Sequence, residues 1–320
     1  MTSRSPLPTA PGGGWDGLAL EVETPVRPGL RVEVAGGRRL LIRQADRVVL
    51  LARQHPWHHG VHYVRVEGYR SPVPPISAVQ ARRVGDTGGD GERAARWAHR
   101  FVSWLTGAED GPLHRGRWNL TPGMPHWAVP GHWPRLPVVD PDRGHITWFG
   151  YGHPVEDQRD ILPLRRLAPP DSSRVRAWRR QVREGTLPPV LLWWVSGLQT
   201  LLVLDGHDRI VAALAEGTRP PVLVLAPPVD PALVAAGERR ELRAYSERMA
   251  ALAGRSDVAP ARLAAASQQF ATALRQAAGD LGRNRAWPLR GGVGAWDRLA
   301  ADLAPGWTPP DNGELVLPVP

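Results

Sequence analysis

From Trp15 to about Tyr69, short apolar runs alternate with Gly, Pro and Asp. Leu18-Ala-Leu-Glu-Val, Arg31-Val-Glu-Val, Arg39-Leu-Leu-Ile and Val48-Val-Leu-Leu have the length and β-branched content of strands, and each is predicted as one. Asp86 to Gly91 reads as a loop. Glu92 to Leu105 switches to helical spacing, with Ala95, Trp97, Phe101 and Trp104 on or near one side. Residues 111–154 are rich in Pro, Gly, Trp and His, which predicts loops with short strands.

A denser pattern begins at Ile161. Asp171-Ser172 offers an N-cap for a helix from Ser173 to Glu184, with Val175, Trp178 and Val182 on its apolar face and Gly185 as its stop. Leu187 to Leu204 carries no charge and is long enough to cross a bilayer. Pro188-Pro189 opens it, however, and Ser196-Gly197 divides it, so two buried strands joined by a turn fit better. A second helix should run from Arg209 through Ala215 to a stop at Gly217, followed by a strand from Val222 to Leu225. Helix, strand, strand, tight turn, helix, strand is an α/β order. Beyond Pro231 the spacing is helical again. Leu242, Tyr245, Met249 and Leu252 form one stripe and Leu263, Phe270 and Leu274 another, with a short helix at Ala295–Leu303. The expected layout is a tail over 1–14, a β-rich region over 15–154, an α/β domain over 155–230, a helical region over 231–308 that suits oligomerisation, and a tail over 309–320.

Composition narrows the chemistry. The net charge is +9 and every basic residue is arginine, so lysine-dependent Schiff-base, P-loop and kinase chemistries are excluded. A basic chain attracts phosphates, nucleotides and nucleic acid, and guanidinium forks bind phosphate well. There is no cysteine, which removes disulfides, thiolate catalysis and thiolate-bound zinc. The start lacks an apolar signal-like segment, so a cytoplasmic protein is expected. The 14 Trp residues compensate for a core poor in Phe and Tyr. His55-Pro-Trp-His58-His59-Gly-Val-His62 is a histidine cluster that could ligate a metal, but no carboxylate set accompanies it. Arg174, Arg176, Arg179, Arg180 and Arg183 spread over one predicted helix, as a solvated face or an anion-binding one.

Asp205-Gly206-His207-Asp208-Arg209 concentrates the candidate chemistry. An apolar strand ends at Asp205, Gly206 permits a sharp turn, and the helix that follows aims free N–H groups at one spot. Gly206, His207, Asp208 and Arg209 are the expected phosphate-binding set, with Arg209 as a bidentate clamp. His207 could shuttle a proton, Asp205 could hold magnesium or act as a base, and Asp208 could cap the helix. The alternative is a charged turn whose Asp and Arg simply pair.

Ile161-Leu-Pro-Leu-Arg-Arg-Leu, Pro188-Pro-Val-Leu-Leu, Leu204-Asp-Gly-His-Asp-Arg-Ile-Val-Ala-Ala and Pro221-Val-Leu-Val together resemble the ParB/sulfiredoxin-like superfamily, in order and spacing. The resemblance implies a mixed α/β domain, with a β-rich region before it and a helical region after it. Sulfiredoxins place a cysteine where His207 stands, so their activity is excluded. Chromosome-partitioning members carry Gly-Glu-Arg-Arg in the turn and a further box downstream that is missing here. The free-serine kinases of the superfamily have an Asp-Gly-His-His-Arg type of turn, closest to this one, and use a glutamate as general base near the position of Asp171. The resemblance therefore implies binding of a nucleotide (ATP, ADP or CTP) or another phosphorylated small molecule. Magnesium at Asp205 and phosphoryl transfer with His207, Asp205 and Asp171 would follow. The competing expectation is a non-enzymatic module that binds nucleic acid or a protein through the arginine-rich helix.

Overall fold

The computed structural model describes residues 2–8, 14–54, 60–85, 88–125, 136, 142–147, 161–253, 260–279 and 281–307. Two units are distinguished by their internal contacts, and the larger holds both β-sheets. The chain is mixed α/β.

In the larger unit the strands are β1 (Thr2–Pro6), β2 (Leu18–Val22), β3 (Leu30–Ala35), β4 (Arg39–Gln44), β5 (Arg47–Gln54) and β6 (Gly60–Arg65). Helices α1 (Ala78–Gly85) and α2 (Asp90–Gly107) come next, then β7 (Gly116–Pro122), β8 (Arg143–Thr147) and β9 (Ile161–Pro163). The run α3 (Ser173–Arg183), β10 (Val190–Val195), β11 (Thr200–Asp205), α4 (His207–Ala215), β12 (Val222–Ala226) has the order read from the sequence. One sheet is ordered β1-β2-β7-β12-β10-β11-β9. The other contains β3, β4, β5, β6 and β8 in that order, with a further strand beside β3 described below.

A single apolar core lies between them. Leu18, Leu20, Trp118, Leu191, Trp193, Leu202 and Leu223 from the first sheet meet Leu30, Ile42, Leu50 and Tyr63 from the second, with Trp97 and Phe101 of α2. Leu187–Leu204 is thus a buried antiparallel hairpin, Val195 pairing with Thr200. No helix among the described residues is long and apolar enough to cross a membrane. On the alternate face of β10, α4 packs against the sheet, and α3 packs on α4 through Val175, Val211 and Ala212.

Three expectations need correction. The tail expected over 1–14 is in part a strand: Thr2–Pro6 pairs antiparallel with β2. Its side chains are mostly exposed, so backbone pairing at a sheet edge leaves no apolar pattern to read. The boundary expected near 155 runs through the first sheet, because β2 and β7 share it with β9 to β12. The region 231–308 is not one helical module either. Residues 284–307 belong to the larger unit, where β13 (Ala286–Pro288) runs parallel to β3, and Trp296 of α7 (Gly292–Leu303) packs on Leu41 and Leu51 and donates to the Leu40 carbonyl at 2.9 Å.

The smaller unit, described by itself, is a hairpin of α5 (Pro231–Ala253) and α6 (Pro260–Gly279). Tyr245 stacks on Phe270 with centroids 4.3 Å apart and shares a hydrogen bond with Ser267. Leu242, expected on the inward stripe, is exposed. The side chain of Leu274 lies outside the described residues, as do His55, His58 and His59, most of 126–160, and 309–320.

Candidate functional site

The turn forms as the sequence requires. β11 ends at Asp205, Gly206 takes the left-handed conformation at φ 100°, and His207, Asp208 and Arg209 make the first turn of α4. The first intrahelical bond runs from the Ile210 N–H to the Gly206 carbonyl, so the amides before it have no partner within the helix. A Cβ on residue 206 would stand 2.8 Å from the Arg209 guanidinium, which folds back over the turn; glycine is needed for space as well as for φ. The β10–β11 pairing slips by one residue here: Leu191 opposes Asp205 and Leu192 opposes Val203, leaving Leu204 as a bulge. The Leu204 carbonyl accepts the Tyr69 hydroxyl at 2.7 Å. A bulge next to a turn re-aims the residue after it, here Asp205.

Arg209 is not placed as the clamp the sequence suggested. It is buried, with one Nη donating to Asp205 at 2.7 Å and to the Pro189 carbonyl at 2.9 Å, and its guanidinium lies over the Trp178 ring at 5.7 Å. The pairing alternative describes its geometry. The other Asp205 oxygen accepts the Ser71 hydroxyl at 2.9 Å. Asp208, also buried, is held by Arg165 and Arg174, each at 3.2 Å. The cations exposed at this helix start are therefore Arg165 and Arg174.

His207 is the unusual member. It is 1 % exposed, and its Nε2 has no hydrogen-bond partner among the described residues. Burial, then the charges of Arg165, Arg65 and Arg209, push its pKa well below the ordinary histidine value, so the imidazole is neutral at pH 7. Tyr69 lies beside it at 6.1 Å between centroids. Burial and the neighbouring Asp205 push that phenol well above its usual range, so it remains a neutral donor. Arg65, buried on β6, donates to the Pro163 carbonyl at 3.2 Å and to Asp142 at 2.8 Å; Arg166 also pairs with Asp142. Asp142 is held at about 2 by the hydrogen bond from Arg166, against a smaller cost of burial, with Arg65 adding to the effect.

Asp171 stands apart. It is exposed, and the N-cap of α3 is Ser172, whose hydroxyl accepts the Val175 N–H. Among the described residues Asp171 forms no hydrogen bond or ion pair with the turn. Magnesium at Asp205 does not fit the donors: both carboxylate oxygens are occupied and a guanidinium is one of the occupants. No group of three or more His, Asp or Glu among the described residues could hold a metal. Sequence reasoning did not assign roles to Tyr69, Ser71, Arg65 or Arg165, and it read Arg174 only as part of the arginine-rich face of α3. Arg165 and Arg174 lay inside recognised motifs, whereas Tyr69 and Ser71 are separated from the turn by more than a hundred residues and carried no local signal. No family model, curated protein or solved structure matches the chain; what the turn can do rests on these residues alone.

Proposed function

We propose that the start of α4 binds the phosphate of a nucleotide or another phosphorylated small molecule, within a domain of the ParB/sulfiredoxin-like kind. The observation that carries this reading is His207, a buried imidazole with an unpartnered Nε2 at a helix start where positive charge is in surplus. Arg165, Arg174 and Arg209 pair there with Asp205 and Asp208, three guanidiniums to two carboxylates, and Arg65 adds its charge near His207. The helix dipole and its unpaired amides add to that surplus. A phosphate dianion would neutralise it.

The same geometry favours binding over catalysis. Asp205 and Asp208 are both engaged with arginine, so neither is a free carboxylate base. The lowered pKa of His207 leaves it without the imidazolium proton that a histidine general acid donates. Asp171 is remote from the turn's hydrogen bonds. Roles follow from this: Arg165 and Arg174 meet the phosphate, Arg209 and Gly206 set the turn, and His207 offers a neutral, directional contact.

Calorimetric titration with ATP, ADP, CTP and pyrophosphate, with and without magnesium, tests the reading. At least one should bind, with affinity changed less than about twofold by magnesium. Arg165→Ala and Arg174→Ala should each weaken it roughly tenfold, since a charge-assisted hydrogen bond contributes about 1.5 kcal/mol. Absence of binding by all four, in folded protein, would refute the reading.

A further inference from the structure

Along the outer side of α3, carboxylates are outnumbered in a regular way. Glu184 holds Arg82 at 3.1 Å and Arg180 at 2.7 Å. Glu216 holds Arg179 at 2.6 Å and Arg183 at 3.0 Å. Asp208 holds Arg165 and Arg174. Each acid serves two arginines, and exposed Arg176 has no acid of its own among the described residues. With exposed Asp171 counted, seven guanidiniums face four carboxylates, a surplus of three positive charges. Arg82, Arg179 and Arg180 engage their acids through Nε, which leaves Nη groups without a hydrogen-bond partner among the described residues.

The row has a direction. Arg174, at the start of α3, meets Asp208 in the first turn of α4, while Arg179 and Arg183 meet Glu216 at the end of α4. The two helices therefore run side by side the same way, and the row leads away from the proposed phosphate site. The 11 residues of α3 span about 16 Å. A stacked nucleic-acid strand presents one phosphate per about 3.4 Å, so about five fall within that length.

We infer that the ligand is a nucleic-acid strand whose terminal phosphate sits at the start of α4 and whose following phosphodiesters run along the arginine row of α3. The inference rests on the phosphate reading above and extends it from a single group to a polymer. A lone phosphate needs only the helix start; the row beyond it has charge to spare and faces solvent, with Arg174, Arg180 and Arg183 respectively 71 %, 68 % and 59 % exposed. A membrane surface fits less well, because α3 exposes no large apolar side chain to insert. Contacts of this kind carry no base information, so affinity should be independent of sequence.

Fluorescence anisotropy with a labelled deoxythymidine strand of about ten nucleotides bearing a 5′- or 3′-terminal phosphate, beside thymidine monophosphate as competitor, tests this. The expected result is at least tenfold tighter binding of one phosphorylated strand than of the monophosphate. The salt slope of log affinity should be about −2, from roughly three phosphates at −0.7 each. Removing the terminal phosphate should cost that strand tenfold. The double substitution Arg176→Ala with Arg180→Ala should flatten the slope by about 1.4, two contacts at roughly 0.7 each, and leave monophosphate affinity unchanged. Equal affinity for strand and monophosphate, or an unaltered slope in the double variant, would overturn the polymer and spare the phosphate site. Polyglutamate competing as well as the strand would also overturn it, in favour of an acidic protein partner. Binding of neither strand nor monophosphate would overturn the polymer, and if ATP, ADP, CTP and pyrophosphate also failed to bind, the phosphate site with it.

Discussion

Among the described residues, arginines gather around a buried carboxylate both at Glu33 and at the start of α4, and the two differ in what surrounds them. On the second sheet, Glu33 is buried and takes Arg27, Arg31 and Arg43 at 2.6, 2.7 and 2.9 Å. Burial pushes its pKa up, but hydrogen bonds from Arg43, Arg31 and Arg27 outweigh that and hold the carboxyl below its usual range. That cluster sits on paired strands, β3 and β4, where the backbone groups are used by the ladder. At the start of α4 the surplus of arginine is similar. There, however, the first amides of α4 have no partner within the helix, and the His207 Nε2 is buried without a hydrogen-bond partner among the described residues. Excess arginine alone is a means of holding a strand pair together; excess arginine beside unsatisfied groups is a place for an anion.

Arg209→Ala takes the ion pair from Asp205, leaving it the Ser71 hydroxyl, and the donor from the Pro189 carbonyl, and should cost about 3 kcal/mol of stability, read by urea denaturation. A folded, equally stable variant with reduced nucleotide affinity would instead restore Arg209 as a clamp. Glu33→Gln leaves three guanidiniums crowded around a neutral amide. Because Arg27 is half exposed, the cost should be nearer 2 kcal/mol, with no change in ligand affinity. Gly206→Ala forces a side chain into a left-handed position already filled by Arg209, and should cost about 1–2 kcal/mol.

The smallest effect is on pH dependence. The depressed pKa of His207 means that the unfolded chain takes up a proton below about 6.5 while the folded one resists it. Its contribution is complete above that pH and is lost as pH falls, with a limiting slope of about 1.4 kcal/mol per pH unit. His99 and His114 are also depressed by burial and act in the same direction, so the readout is the difference between wild type and His207→Gln. That variant should show a shallower loss of stability between pH 7 and pH 5. Parallel curves would mean that the histidine is not the titrating group.

Much of the turn was legible because its signals are local. An apolar run stops at Asp205, a glycine follows, and an alanine-rich helix begins; each step has a single cheap backbone solution. What Arg209 does with its charge was not legible. Sequence cannot tell an exposed first-turn arginine from one folded back into the sheet, because burial is decided by Trp178 and Pro189, which lie far along the chain. The same limit hid Ser71 and Tyr69. The hairpin of β10 and β11 could be read, but its bulge at Leu204 could not, since register depends on the partner strand. The boundary at 155 failed for a related reason: β2 and β7 complete the sheet of the α/β segment by long-range pairing that no local pattern records. Leu242 looked like core from its spacing, yet a two-helix hairpin has too little partner surface to cover every apolar position on its stripe.

The most direct test of the phosphate site sets the two arginine clusters against each other in one titration. Pyrophosphate is titrated by calorimetry into wild type, into Arg165→Ala with Arg174→Ala, and into Arg27→Ala with Arg31→Ala, each first shown to be folded by circular dichroism. The prediction is binding to wild type, a loss of at least tenfold for the pair at α4, and unchanged affinity for the pair at Glu33. Equal losses in both variants would mean that the anion responds only to net charge, and would contradict a site at the start of α4.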